Sequence, residues 1–361
     1  MATSAYDTQR AEAFSGRLLE TLNSGALAVM ISVGHRTGLF DALAEVDAAT
    51  SEELAEAAGL HERYVREWLA AMTTGRVVEY EPKAERYRLP PEHASWLTRA
   101  ASPDNVAVTA QFIPLLATVE DEIVRCFFEG GGVPYERFGR FHEVMAEDSG
   151  QTVLSVLFTH ILPLVPGAEE RLEAGTSLLD LGCGRGRALL ALAERFPNSR
   201  FLGYDLSSEA ISYAQEQAAA RELRNVQFGV RDLSTFDADA EPESFELVTT
   251  FDAVHDQARP LALLRGIRRT LTDDGVYLMQ DIHGSSLVHE NIDHPGGTLL
   301  YTISCMHCMT VSLAQGGEGL GTLWGEQKAR ELLAEAGFGS VDVHQLEHDP
   351  FNAYYVVRGR V

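Results

Sequence analysis

Positive charge is what this chain of 361 residues has little of: 29 lysines and arginines stand against 53 aspartates and glutamates, a formal net charge of -24. That balance, with no cluster of basic residues anywhere, disfavours nucleic acid or another phosphate-rich partner. Cysteine is scarce as well. Cys126, Cys183, Cys305 and Cys308 are too few to staple a chain this long, which fits a reducing cytoplasm. No apolar run approaches the ~20 residues of a membrane-crossing helix, and residues 1–7 lack both a basic patch and an apolar export core. The expectation is a protein kept inside the cell and off the membrane. The hydrophobic fraction, 45%, is that of a folded chain with a substantial core, and the length suggests two to three domains by the usual prior of roughly 150 residues each.

The most informative stretch is Leu179-Asp180-Leu181-Gly182-Cys183-Gly184-Arg185-Gly186, where an apolar strand breaks into three alternating glycines and then a helix. Glycines are needed where the backbone turns with positive φ and comes closer to a ligand than a Cβ would allow. A dinucleotide loop wants a further glycine three residues after the second, to seat a pyrophosphate. Here that position is Arg187. Asp180, just before the glycines, would repel a diphosphate and attract an ammonium group, so a nicotinamide-dependent oxidoreductase is disfavoured and an ammonium-bearing nucleoside, S-adenosyl-L-methionine, is favoured. Two further apolar runs end in acids: 200–205 in Asp205, placed to accept both ribose hydroxyls, and 225–232 in Asp232, placed to receive the adenine amine.

With these residues in place, the pattern over 177–281 resembles the class I S-adenosylmethionine-dependent methyltransferases, whose first motif is an acid followed by Gly-x-Gly-x-Gly. The resemblance implies an α/β fold, a Rossmann-like seven-stranded sheet. It also implies that Asp180, Gly182, Cys183, Gly184 and Gly186 form the cofactor loop, with Asp205, Leu206, Asp232, Leu233, Phe251 and Asp252 around the nucleoside. The hydrophobic patterns agree with such a fold. Strands at 177–181, 201–204, 226–230, 245–251 and 276–280 alternate with helices at 186–196, 208–219 and 260–271. A helix at 326–336 and strands at 341–346 and 353–357 close the chain with no crossover helix between the strands, as in that family.

The front of the chain reads as mainly helical. Helical periodicity runs through 10–22, 26–33 and 39–43, Thr50 or Ser51 can cap a helix, and another begins at His61. Residues 77–80 and 86–89 alternate like a small hairpin, completing a winged-helix outline. DNA contact by the helix near Glu62 is opposed by the acids Glu62 and Glu67 within it. In small-molecule O-methyltransferases, which this chain resembles, such a front dimerises and walls the substrate pocket, so the resemblance implies a homodimer. The divisions expected are 1–100 for this domain, 101–172 for a helical linker and pocket region, and 173–361 for the cofactor domain. Between them, Phe112, Phe127, Phe128, Tyr135, Phe138 and Phe141 are either pocket lining or plain core, and the glycines at 130–132 mark a turn or hinge.

Methyl transfer to a hydroxyl needs alignment and a base near neutrality. His255, with Asp256, follows the fourth strand at the correct edge. The His255-Asp256 pair resembles the His-Asp dipeptide of small-molecule O-methyltransferases, where the histidine is the base. Gln257 stands where that family carries tryptophan, leaving the substrate class open, and a histidine that merely holds the loop is the simpler alternative. The span 282–325 is far longer than the ~2 to 6 residues usual between strand and helix. It holds His283, His289, His294, Cys305, His307 and Cys308. Two cysteines three apart form half a zinc site, but the other half is not evident, so no metal is assigned. The reading is a lid built on a helix at about 299–313, followed by a flexible glycine run at 316–321. The function expected is methyl transfer to a small-molecule acceptor, most simply an oxygen; a ligand-sensing winged-helix regulator is the alternative.

Overall fold

A computed structural model describes residues 6–360; residues 1–5, part of the segment read for an export signal, lie outside the described residues. The chain divides after Ala117 into two compact units, so the 101–172 stretch is shared between them rather than standing apart as a linker.

In the first unit, one helix runs unbroken over Thr8–Thr37. The sequence reading placed a break at Asn23-Ser24-Gly25. Instead Ser24 Oγ donates back to the Glu20 carbonyl at 2.8 Å, and a lone glycine inside a helix costs only about 1 kcal/mol. The Asp7 carboxylate caps the start, and Gly38, at φ 75°, ends it. Helices Leu39–Ala44, Ser51–Ala58 and Glu62–Thr74 follow. The second of these opens on a capping box between Thr50 and Glu53, which satisfies two otherwise orphaned amides. Trp68 is the keystone of the small core: its indole donates to the Met30 carbonyl at 2.9 Å and its ring meets Phe40 edge-on at 5.1 Å. Gly34 permits that approach, since a Cβ there would lie 2.6 Å from the indole. Strands β1 (Glu79–Glu81) and β2 (Arg86–Arg88) form the wing, with Tyr80 opposite Tyr87. On helix Glu62–Thr74, Arg63 pairs with Glu67 and Arg66 with Glu62, so its exposed arginines are matched by acids one turn away.

The second unit is a seven-stranded sheet. In chain order its strands are β3 (Ser177–Leu181), β4 (Arg200–Asp205), β5 (Val226–Val230), β6 (Phe245–Phe251), β7 (Leu271–Ile282), β8 (Phe338–Leu346) and β9 (Asp349–Arg360). They lie in the order β5-β4-β3-β6-β7-β9-β8; β3 to β7 are parallel, and β9 runs antiparallel to both neighbours. Strands buried on both faces read as apolar runs, which is why β3, β5 and β6 stand where the sequence placed them. Strand β7 is longer than the expected 276–280 because it also pairs with β9 as far as Ile282. Two apolar clusters cover the two faces of the sheet, one around Leu189, Phe201 and Leu247, the other around Val248, Leu264 and Tyr277.

The chain order reverses at β3, so the carboxyl ends of β3 and β6 open a crevice in which ligands of such sheets bind. The span after β7 is helical at Gly297–Ile303 and Met309–Ala314, joined by a π turn at Ser304–Cys308. By length and composition Gly297–Ala314 passes for a membrane span, against the expectation that no apolar run comes near that size. Two of its polar side chains are bonded within the unit: Thr310 Oγ1 accepts from the Val133 amide, and Ser312 Oγ donates to the Gln257 carbonyl. The glycine run that follows is pinned rather than flexible. The Gly317 amide donates to Ser312 O and the Glu318 amide to Ala258 O, and a Cβ at Gly317 would lie 2.4 Å from Ala258 Cα.

Candidate active site

The glycine loop is set by backbone conformation and by close neighbours. Gly182, Gly184 and Gly186 have φ of 72°, 52° and 66°. At Gly182 a Cβ would meet Ala253 at 2.5 Å, and at Gly186 it would meet the Phe228 ring at 2.4 Å. The loop is stapled to the next strand: the amides of Gly182 and Cys183 donate to Tyr204 O, and the Gly184 amide donates to Asp205 Oδ2 at 2.8 Å. Cys183 packs its sulfur against Gly203 of β4, and burial pushes its thiol pKa well up, which makes it a packing residue of the loop and a poor nucleophile.

Three acids stand at three strand ends as expected. Asp180 is buried and its Oδ1 accepts from Thr249 Oγ1 at 2.8 Å. Burial raises its pKa to about 7, against the lowering effect of that hydrogen bond. A carboxyl so placed lacks a countercharge, and a cation beside it would supply one. Asp205 is held by two backbone amides, Ser207 N on Oδ1 and Gly184 N on Oδ2, each at 2.8 Å. An ionised carboxylate has about four acceptor sites, so room remains for a pair of ribose hydroxyls. Asp232 Oδ1 accepts from Ser234 N. Beside them, Leu206 is exposed, Leu233 belongs to the core cluster and Phe251 is half-buried. A buried acid without a countercharge, a carboxylate with acceptor sites to spare and a turn-held acid fit S-adenosyl-L-methionine.

Arg187, where a dinucleotide loop would carry glycine, has a task of its own. Its guanidinium donates to the Ala146 carbonyl, tying helix Phe141–Thr152 to the loop. Gly150 makes space for it; a Cβ there would lie 2.8 Å from the guanidinium.

Past β6 the chain turns through Asp252, at φ 55°, into His255. The ring of His255 is buried, and its Nδ1 bonds not to Asp256 but to Asp281 Oδ1 at 2.9 Å. That oxygen also accepts from Trp324 Nε1 at 2.9 Å and from Ile282 N at 2.8 Å. Burial pulls the His255 pKa down, but the charge of Asp281, the neighbouring Cys308 and the bond to Asp281 outweigh it, leaving the pKa well above the ordinary histidine value. Asp256 instead accepts from the Tyr135 hydroxyl and from Gln257 Nε2, and burial raises its pKa to about 6. Asp252 lies 3.7 Å from His255 Nδ1, and burial raises its pKa to about 7.

The metal-ligating residues suspected in 282–325 do not gather. Among the described residues one set of three has metal-compatible spacing, Asp252, His255 and Asp281, and there Asp281 Oδ1 is already occupied by three donors. His283 and His294 face each other at 6.0 Å and line a polar pocket of about 440 Å³ with Glu290 and Glu326. Of the aromatics considered for a pocket, Phe127 and Phe128 are 77% and 86% exposed, while Tyr135, Phe138 and Phe141 surround His307. Sequence reasoning missed Asp281 and Trp324 as site partners and weighed Tyr135 only as pocket lining or core, where it bonds Asp256. Asp281, an acid near the end of a parallel strand, obeys the same rule as the other three.

Two family descriptions match: an Rv2258c-like winged HTH domain over residues 25–99, and a methyltransferase domain over residues 172–345. An (S)-coclaurine N-methyltransferase of Thalictrum flavum subsp. glaucum is 27% identical over 141 residues, 36% of this chain and 38% of that protein. The chain thus spans about two fifths of that relative. Among solved structures, the mitomycin 7-O-methyltransferase MmcR superposes with a TM-score of 0.71 at 19% identity, covering 98% of this chain and 100% of that one. Human N-acetylserotonin methyltransferase in complex with S-adenosylmethionine gives 0.69 at 18% identity, covering 100% of both chains. With the sheet order, the glycine loop and the strand-end acids, these matches give the chain an N-terminal winged helix-turn-helix domain followed by a methyltransferase domain with the fold of S-adenosylmethionine-dependent methyltransferases.

Proposed function

We propose that this protein transfers a methyl group to an oxygen of a small-molecule acceptor, with His255 as the base. The observation that carries the reading is the buried His255–Asp281 bond at the carboxyl edge of the sheet. A proton on Nδ1, facing the carboxylate, leaves the lone pair of the ring on Nε2, and Asp281 would stabilise the imidazolium formed when that lone pair takes a proton. Trp324 and the Ile282 amide hold the carboxylate in place. When bound, the cofactor supplies a methyl group already activated on a sulfonium. Asp180 and Asp205 fix the cofactor, and Asp256, through Tyr135, holds the segment that carries the aromatic cluster. His255 would remove the acceptor proton at Nε2 during the transfer, and Asp281 would balance the charge the ring then carries.

The sequence relative acts on nitrogen by its name, but the stretch it shares is 141 residues. A nitrogen acceptor with a free lone pair would have no need of the buried His255–Asp281 pair. The pH profile separates the two. With the His255 pKa raised, the base is free only above it, so turnover of a hydroxyl acceptor rises as pH increases beyond 7; a profile flat from pH 6 to 9 would remove His255 from the base role.

Dimerisation is part of the same proposal. Helix Thr8–Thr37 exposes Phe14, Leu18, Leu19, Leu22, Val29 and Val33, an apolar stripe that a lone chain would leave in water. Leu18→Glu with Leu22→Glu is expected to convert a dimer to a folded monomer in light scattering; an unaltered mass would rule the stripe out. DNA regulation is opposed by the paired charges on helix Glu62–Thr74.

A further inference from the structure

His307 is the least explained side chain of the second unit. It is 0% exposed, and neither ring nitrogen has a hydrogen-bond partner. Buried polar groups in folded proteins are almost always paired, and one left orphaned points to an absent water, ion or ligand. Its surroundings are aromatic: Phe141 stacks on it at 3.6 Å and 12°, and Phe138 and Tyr135 meet it edge-on at 4.6 and 5.2 Å. His142 in turn stacks on Tyr135. The residue sits beside the proposed chemistry, because Tyr135 donates to Asp256 and the adjacent Cys308 is a close neighbour of His255. It also lies in the π turn Ser304–Cys308, a helix irregularity frequent at functional sites because the extra residue re-aims side chains. A structural imidazole would spend its nitrogens on the protein, as His255 does.

We propose that His307 is the specificity residue for the acceptor, a ring nitrogen receiving the hydrogen bond of a hydroxyl carried on a flat aromatic compound. This rests on the oxygen-acceptor reading above and adds to it the ligand class and the residue that reads it. The four rings of 135–142 supply stacking surfaces for such a compound, and an analogue without the hydroxyl proton leaves the nitrogens unpaired, which is the basis of strong discrimination.

The test uses full-length enzyme saturated with S-adenosylhomocysteine, titrated by calorimetry with 2-naphthol and with 2-methoxynaphthalene. The parent is expected to prefer the hydroxyl compound by tenfold or more. His307→Phe and the smaller His307→Leu are expected to erase that preference while binding the methoxy compound as before, with melting temperatures no lower than the parent's. A parent without the preference, a preference that survives both substitutions, or a lowered melting temperature in both variants would overturn the assignment. The base reading fails separately, if His255→Ala leaves turnover unchanged.

Discussion

The proposed cofactor rim and the proposed acceptor cluster lie at the same edge of one sheet and differ in how most of their groups are held. At the rim, Asp205 and Asp232 are held by backbone amides close by in sequence or on the neighbouring loop. In the cluster, side chains hold side chains across long separations: His255 to Asp281, Asp281 to Trp324, Asp256 to Tyr135. Backbone amides are part of the fold and stay where the fold puts them. A network of buried side chains stands or falls by its members. The rim is therefore expected to tolerate changes in the cluster, while the cluster responds to each of its own.

Removing the base should show the largest separation between the two. His255→Ala is expected to slow turnover by about 10² to 10⁴-fold, the usual share of general base catalysis, with cofactor affinity held within a factor of two; calorimetry showing a parallel loss of affinity would erase the distinction. Next comes the rim itself. Asp205→Ala removes the diol acceptor and frees two loop amides, so cofactor affinity should fall on the order of 100-fold, since hydrogen bonds to a charged group contribute roughly 1.5 to 3 kcal/mol each. Smaller is the effect of Trp324→Phe, which takes one donor from Asp281. That carboxylate then holds the His255 proton more tightly, moving the rising limb of the pH profile upward, with turnover near neutrality reduced by about tenfold for a loss of about 1.4 kcal/mol.

The mildest effect is on stability. Asp180 and Asp252 are raised to about 7 and Asp256 to about 6, each by burial first. The folded state thus keeps protons that the unfolded chain releases near its ordinary carboxylate range of about 4. These groups stabilise the cofactor-free fold at low pH, and the contribution is lost as pH rises from about 4 through 7. Asp180→Asn should gain on the parent in melting temperature between pH 5 and 8, and a constant difference across that range would mean that Asp180 is not the group titrating. Cofactor affinity should run the other way, weakening below about pH 7 as Asp180 takes up a proton.

The same contrast explains what could be read beforehand. Residues 177–186 and the acids at 205 and 232 were legible because one local rule, an apolar run ending in a functional group, places each of them without knowledge of packing. The closing β8–β9 pair was legible for the same reason. The break expected in helix Thr8–Thr37 did not occur because Asn-Ser-Gly is a weak stop, which one serine bond to a carbonyl and the unbroken run of backbone bonds on either side override. Asp256 was taken with His255 because the two are adjacent, but successive side chains diverge, and the partner came from β7, 26 residues on. The sequence offers His307 as a candidate metal ligand or part of a lid; only packing shows it enclosed by Phe138 and Phe141 and outside the one metal-compatible group among the described residues.

Arg187 carries a consequence for anyone who would re-engineer this loop. Writing a dinucleotide fingerprint into the chain by Arg187→Gly would cut the bond from the guanidinium to Ala146, and with it a tie between the loop and the helix that carries Phe141 and His142. Cofactor exchange in this scaffold is thus not a matter of motif grafting. The residue that departs from one fingerprint is a tether in the other, and a donor swap would have to rebuild the roof together with the floor.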